Sequence, residues 1–193
     1  MFRKFAIAAA LTCVAGAASA QDCAAIAVED AFDLDPAAID ALYECLEEKM
    51  AAGYAKEGDP IGSEFRSWAV TATAPGVAGV HGNRLLMTFA NDIAAEQYLK
   101  FEEEGVEMPI GSVLAKESIS LSIKKQKARP GPLFIMTKVG VDAAPEADGW
   151  LYSGLQPNGK VMKVKQSFCH DCHAAWEDQD ALAYPLEELR VSQ

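Results

Sequence analysis

The chain has 193 residues, half of them hydrophobic, enough for one domain with a real core. Its 28 acidic residues outnumber 17 basic ones, and a formal charge of -11 argues against nucleic acid and anionic membrane surfaces as partners. Such an acidic surface suits a basic partner, although solvated acidic faces are common without one.

Residues 1–20 read as a secretory signal. Arg3 and Lys4 form the basic start, Phe5 to Val14 the apolar stretch, and Ala18-Ser19-Ala20 a small-residue cleavage site. The apolar run is too short to span a membrane, and Thr12 before Cys13 makes a poor lipoprotein site. Cleavage after Ala20 is expected, leaving an exported, periplasmic chain that is more acidic still.

After an acidic, irregular segment, Asp35-Pro36 gives a helix start, a capping oxygen followed by proline at the first helical position. Ile39, Leu42, Leu46 and Met50 form one apolar stripe, and Gly53 is expected to stop the helix. Glu57 to Ser63, with Gly58, Pro60 and Gly62, reads as a connection. Ser67 to Thr73 and Arg84 to Ala90 read as strands. Asn91 or Asp92 then caps a helix with Ala94, Tyr98 and Phe101 on one face, ending near Gly105.

Ser112 to Ile123 is the clearest strand. Val113, Ala115, Ile119, Leu121 and Ile123 share one face, and Ser112, Lys116, Ser118, Ser120 and Ser122 the other. Glu117 falls on the apolar side and Leu114 on the polar one, against the alternation. Leu133 to Val141, Trp150 to Leu155 and a stretch around Val161 to Val164 are the remaining strand candidates, the last two separated by a Pro157-Asn158-Gly159 turn. The connections are too short for successive parallel crossovers, so the fold class is α+β, with a mainly antiparallel β-sheet, flanking helices and a separate C-terminal segment.

That last segment is Cys169-His170-Asp171-Cys172-His173, the C-x-x-C-H spacing of c-type haem attachment. Two thiols three positions apart reach the two vinyl groups of one porphyrin, and the adjacent His173 becomes the proximal iron ligand. A zinc site would need further ligands, and no second C-x-x-C exists. With two cysteines assigned to one haem c, Cys23 and Cys45 of the exported chain pair most simply as a disulfide, two free thiols being the alternative.

Several pieces in order resemble the cytochrome P-460 family, which shares its fold with cytochrome c-prime-beta. They are Phe65-Arg66-Ser67-Trp68, His81-Gly82-Asn83-Arg84, the run Pro109 to Glu117, Trp150, Cys169 to His173, and Tyr184-Pro185 with Arg190. The resemblance, which spans about Phe65 to Arg190, implies a haem domain at 58–193, preceded by the signal at 1–20 and an N-terminal helical extension at 21–57 that lie outside it. It also implies a homodimer whose subunits each hold one five-coordinate haem. Members of the P-460 type carry a lysine bonded to the porphyrin rim, and Lys116 stands at that position. Without the resemblance, Lys116 is an ordinary polar-face residue. Arg84 and Glu117 are candidates for the distal side; a surface arginine and an ion-paired carboxylate are the plainer readings. His81 is a possible sixth ligand, or a structural histidine in a turn. Catalytic members place a carboxylate shortly before the haem motif, and 160–168 contains none.

Three functions follow from these residues. The first is oxidation of a small nitrogenous substrate, hydroxylamine, with electrons leaving to a partner cytochrome. The second is binding of a gas such as nitric oxide. The third is simple electron transfer, which would need a strong sixth ligand from His81, Met108, Met136 or Met162.

Overall fold

The computed structural model describes residues 23–192. The signal reading at residues 1–20 lies outside them.

Helix α1 (Pro36–Ala55) begins as its sequence dictates: the Asp35 carboxylate accepts from the Ala38 N–H at 2.8 Å, and Pro36 takes the first helical position. Leu42, Leu46, Met50 and Tyr54 are its buried stripe. Gly53 does not stop it. The helix runs on to Ala55, and Gly53 is needed for a different reason: a Cβ there would lie 2.2 Å from the Pro157 carbonyl oxygen. The expected connection after it holds a short helix α2 (Pro60–Glu64), capped by Asp59. Before them, the Cys23–Cys45 disulfide joins the leading segment to α1, with Cα atoms 5.9 Å apart.

The strands are β1 (Ala69–Val70), β2 (Gly76–Ala78), β3 (Arg84–Ala90), β4 (Val113–Ser122), β5 (Lys127–Pro130), β6 (Leu133–Lys138) and β7 (Trp150–Leu155). They form one sheet in the order β1-β3-β4-β6-β7, with β2 also on β3 and β5 also on β4, and every pairing is antiparallel. The class is therefore α+β, as expected. The expected strand at Ser67–Thr73 shrinks to two residues, because 65–67 coils into a 3-10 turn. The expected strand at Val161–Val164 does not form; Val161 makes one isolated bridge to Leu155. β6 ends three residues before Val141 because the chain turns at Gly140, whose N–H, like that of Val139, goes to the Gly149 carbonyl. Helix α3 (Asp92–Tyr98), capped by Asn91, ends well before Gly105.

Strand alternation divides the sheet into two faces. Leu85, Met87, Phe89, Ala115, Ile119, Leu133 and Ile135 pack against the α1 stripe and form the larger core. Each of the larger of these side chains contributes roughly 1.5–3 kcal/mol through its removal from water. The other face carries Ala90, Leu114, Met136 and Tyr152 at one end, packed against Ala94 and Tyr98 of α3 and against Leu182. Further along that second face Thr88 and Ser118 are buried, while Arg84, Leu86, Lys116 and Phe134 are only half-buried. Helix α4 (Gln166–His173) docks beside it.

Candidate haem site

Helix α4 is held to the edge strand by its first residue. The Gln166 side chain accepts from Tyr152 N at 2.7 Å and donates to Tyr152 O at 2.9 Å, so an amide side chain completes the β7 ladder where a strand would otherwise continue. The second anchor is His170, between the Tyr152 hydroxyl at 3.2 Å and the Asp148 carboxylate at 3.1 Å. These contacts fix the helix that presents Cys169, Cys172 and His173.

Cys169 is half-buried and Cys172 exposed, both as free thiols. Burial raises the Cys169 thiol, with the Cys172 sulfur adding to the shift. His173 is buried, and its Nδ1 lies 2.8 Å from the Ala181 carbonyl oxygen. That bond makes Nδ1 the protonated nitrogen and leaves Nε2 with its lone pair free for a metal. Burial, with the Lys116 charge second, pushes the imidazole down to about 4, so it is neutral at ordinary pH.

The carbonyl that holds His173 is itself held. Asp180 and Ala181 both adopt left-handed backbone, φ 52° and 61°. Asp180 is fixed by the Lys138 ammonium at 2.6 Å, the Met108 N–H at 2.8 Å and, through its carbonyl, the Trp150 indole at 2.9 Å. Lys138 also donates to the Asp148 carbonyl at 3.0 Å. Nothing local in the sequence marks Asp180 or Lys138; only their shared burial joins them. Trp150, by contrast, stood among the matching pieces of the sequence.

Of the candidates read from the sequence, Lys116, His81 and His173 come together. Lys116 lies in one cross-strand row with Thr88 and Phe134. Burial lowers its amine to about 8, and its charge depresses both histidines. His81 packs on Phe134 at 5.1 Å between ring centres and stands 6.4 Å from the His173 ring. Burial, then Lys116, lowers His81 to about 4. Arg84 is on the same face, bonded to the Ser120 hydroxyl and close enough to His81 to depress it further.

Glu117 is not brought to this cluster. It is one residue from Lys116 and therefore on the opposite face, where it is 1% exposed and receives Arg66 Nη2 at 2.7 and 3.0 Å and the Tyr43 hydroxyl. Burial raises its carboxyl, opposed by the Arg66 charge and the Tyr43 bond. As a distal candidate it is corrected by this placement: a buried ion pair of the core explains it. Met108 and Met136 are buried in the smaller core, and Met162 lies over Gly154.

One antiparallel sheet with helices on both faces, and a helical C-x-x-C-H segment against a half-covered sheet face, is an arrangement suited to holding a haem. The chain belongs to the cytochrome P460 family, whose signature matches residues 62–183. Among curated proteins none matches it significantly. Membership implies haem, and the residues present fit one: two thiols on one helix, an imidazole with Nε2 free, and a partly apolar floor of Leu86 and Phe134. Among the described residues no helix is long and apolar enough to cross a membrane.

Proposed function

We propose that the chain is an exported c-type cytochrome with one haem attached through Cys169 and Cys172 and ligated by His173, and that it oxidises hydroxylamine. The observation that carries this reading is Lys116, whose amine is desolvated within the same cluster as His173 on the half-covered sheet face. When bound, the haem supplies a redox-active iron for a small nitrogenous substrate. The chain's own residues set its surroundings. Ala181 holds the His173 proton at Nδ1, so that the imidazole keeps one orientation. An amine lowered to about 8 has an appreciable neutral, nucleophilic fraction, which suits Lys116 to the rim link that the family resemblance implies. The Cys23–Cys45 disulfide supports export to an oxidising compartment, here the periplasm. The acidic surface suits a basic partner cytochrome as electron acceptor. The resemblance further suggests a homodimer.

One observation favours a second reading, binding of nitric oxide without turnover. Glu117 faces the other core, and 160–168 lacks a carboxylate that could take protons beside the cluster.

The test is mass spectrometry of tryptic haem peptides together with hydroxylamine-dependent reduction of an added acceptor. A peptide joining Cys169, Cys172 and Lys116, with turnover, is the expected result. Lys116 recovered unmodified and no turnover would move the protein to gas binding. Loss of haem on denaturing electrophoresis would remove the attachment itself.

A further inference from the structure

We propose that the segment 160–168, which runs into the haem-attachment helix α4, is the docking face for an electron-accepting protein whose contact surface is acidic. This rests on the haem attachment proposed above.

In a chain with 28 acidic and 17 basic residues, the stretch 149–170 holds Lys160, Lys163 and Lys165 and no aspartate or glutamate. It is built to keep those lysines outward. The Gln156 N–H donates to the Lys160 carbonyl at 2.8 Å and the Met162 N–H to the Gly154 carbonyl at 2.8 Å, so the backbone is tied to the end of β7. From there exposure alternates as in an extended chain. Met162 turns in over Gly154, and Val164 packs on the smaller core beside Cys169. Val161, Lys163 and Lys165 face water. Among the described residues none of the three ammonium groups has an ion-pair partner. The nearest acidic residues along the chain are Asp148, already bonded to His170, and Asp171 of α4.

The same strap carries apolar surface. Phe168 is 77% exposed and Val161 71%. Phe168 adjoins Cys169, and Cys172 on the same helix is exposed too. An aromatic anchor supplies area that desolvates on contact, and charges near it orient the partner. An acceptor must also approach the part of the protein that carries the redox group, and α4 is that part. One electron would cross this face per encounter, the protein being oxidised and the acceptor reduced, with no bond or proton exchanged. The sign of the contact is local. At 0.1 M salt, exposed charges more than about 10 Å apart are largely screened, so a partner seated here meets the lysines rather than the acidic residues elsewhere. The acidic whole favours a basic partner at long range; the strap selects an acidic patch on that partner for contact. An anionic bilayer is the poorer occupant, because an extended flat surface also meets the acidic remainder of the chain.

The experiment mixes the reduced holoprotein with an acidic blue-copper protein and follows oxidation by stopped flow over a range of salt. Wild type is compared with the triple variant Lys160→Glu, Lys163→Glu, Lys165→Glu. Haem stain after denaturing electrophoresis, light scattering and flotation with vesicles of anionic lipid run in parallel. The wild-type rate should fall about tenfold as salt rises from about 0.02 M to about 0.5 M. The triple variant should be about tenfold slower at low salt, speed up as salt is added, and keep the wild-type haem spectrum. A wild-type rate that rises with salt overturns the proposal, since the acidic whole would then govern the contact. So does a triple variant as fast as wild type. Flotation of wild type but not of the variant assigns the strap to lipid and overturns the proposal; a change of oligomeric state in the variant assigns it to a second copy with the same effect. Loss of haem from wild type in the gel overturns the attachment reading beneath it. If the triple glutamate variant does not accumulate, the triple glutamine variant decides. A flat salt dependence is then expected, and the wild-type slope overturns the proposal.

Discussion

Neighbouring residues Lys116 and Glu117 show how one step along a strand separates the histidine cluster from the core. Their side chains point to opposite faces, Lys116 toward the histidines and Glu117 into the layer under α1, where Arg66 and Tyr43 hold it. The aromatic-Arg-x-Trp piece of the sequence thereby gains a physical role, since its arginine neutralises the buried carboxylate. Glu117→Ala leaves Arg66, at a partly buried position, with only its longer contact to Glu47 at 3.4 Å and should cost about 3 kcal/mol. Urea denaturation measures this, while the haem absorption spectrum stays that of wild type. A changed spectrum with unchanged stability would return Glu117 to the haem face. Lys116 makes the opposite kind of prediction. Its folded pKa, about 8, is below the ordinary 10.5, so between those values the unfolded chain binds more protons. Stability of protein with Lys116 unlinked should therefore rise with pH across that window, the cost of the buried charge being fully present below about 8. Denaturation midpoints should follow this slope, and Lys116→Met should flatten it.

At the scale of elements, what was legible was whatever the sequence states locally. β3 and β7 have the expected bounds, α1 starts at its Asp-Pro cap, and the Cys23–Cys45 pair is joined. What was hidden depends on contacts distant in sequence. Gly53 reads as a helix stop, yet the Pro157 backbone pressed against it is what requires glycine. β2 and β5 are three and four residues long and owe their extension to β3 and β4 alongside. The loop at Asp180–Ala181 had no signal at all, although it holds the His173 ring. Asp180→Ala would leave Lys138, whose side chain is 10% exposed, without its counter-charge, a loss of about 3–5 kcal/mol. It would also loosen the Ala181 carbonyl that keeps the His173 imidazole electron-rich. The midpoint potential should rise in consequence. Asp180→Asn, which keeps a hydrogen-bond acceptor, should recover part of both effects. Equal potentials in all three proteins, by redox titration, would show that the loop is merely structural.

Across the whole molecule the sheet separates two jobs. One face, under α1, holds most of the apolar core; the other holds the cluster of Lys116, His81 and His173, next to α4. The segment read as an N-terminal extension, 21–57, supplies α1 and so belongs to that first face. The disulfide strengthens the same side. Cys23 and Cys45 are 22 positions apart, and the leading segment they tether also pairs with the β5 edge through Ala25 and Lys127. Cross-linking a loop of that size removes unfolded-chain freedom worth about 3 kcal/mol. The double variant Cys23→Ala, Cys45→Ala should therefore melt roughly 5–10 °C lower. Because α1 and the disulfide lie across the sheet from α4, its haem spectrum, spin state and cyanide binding should be those of wild type. An altered spin state at unchanged stability would mean that the leading segment reaches the haem side after all, and the division of labour between the two faces would fail.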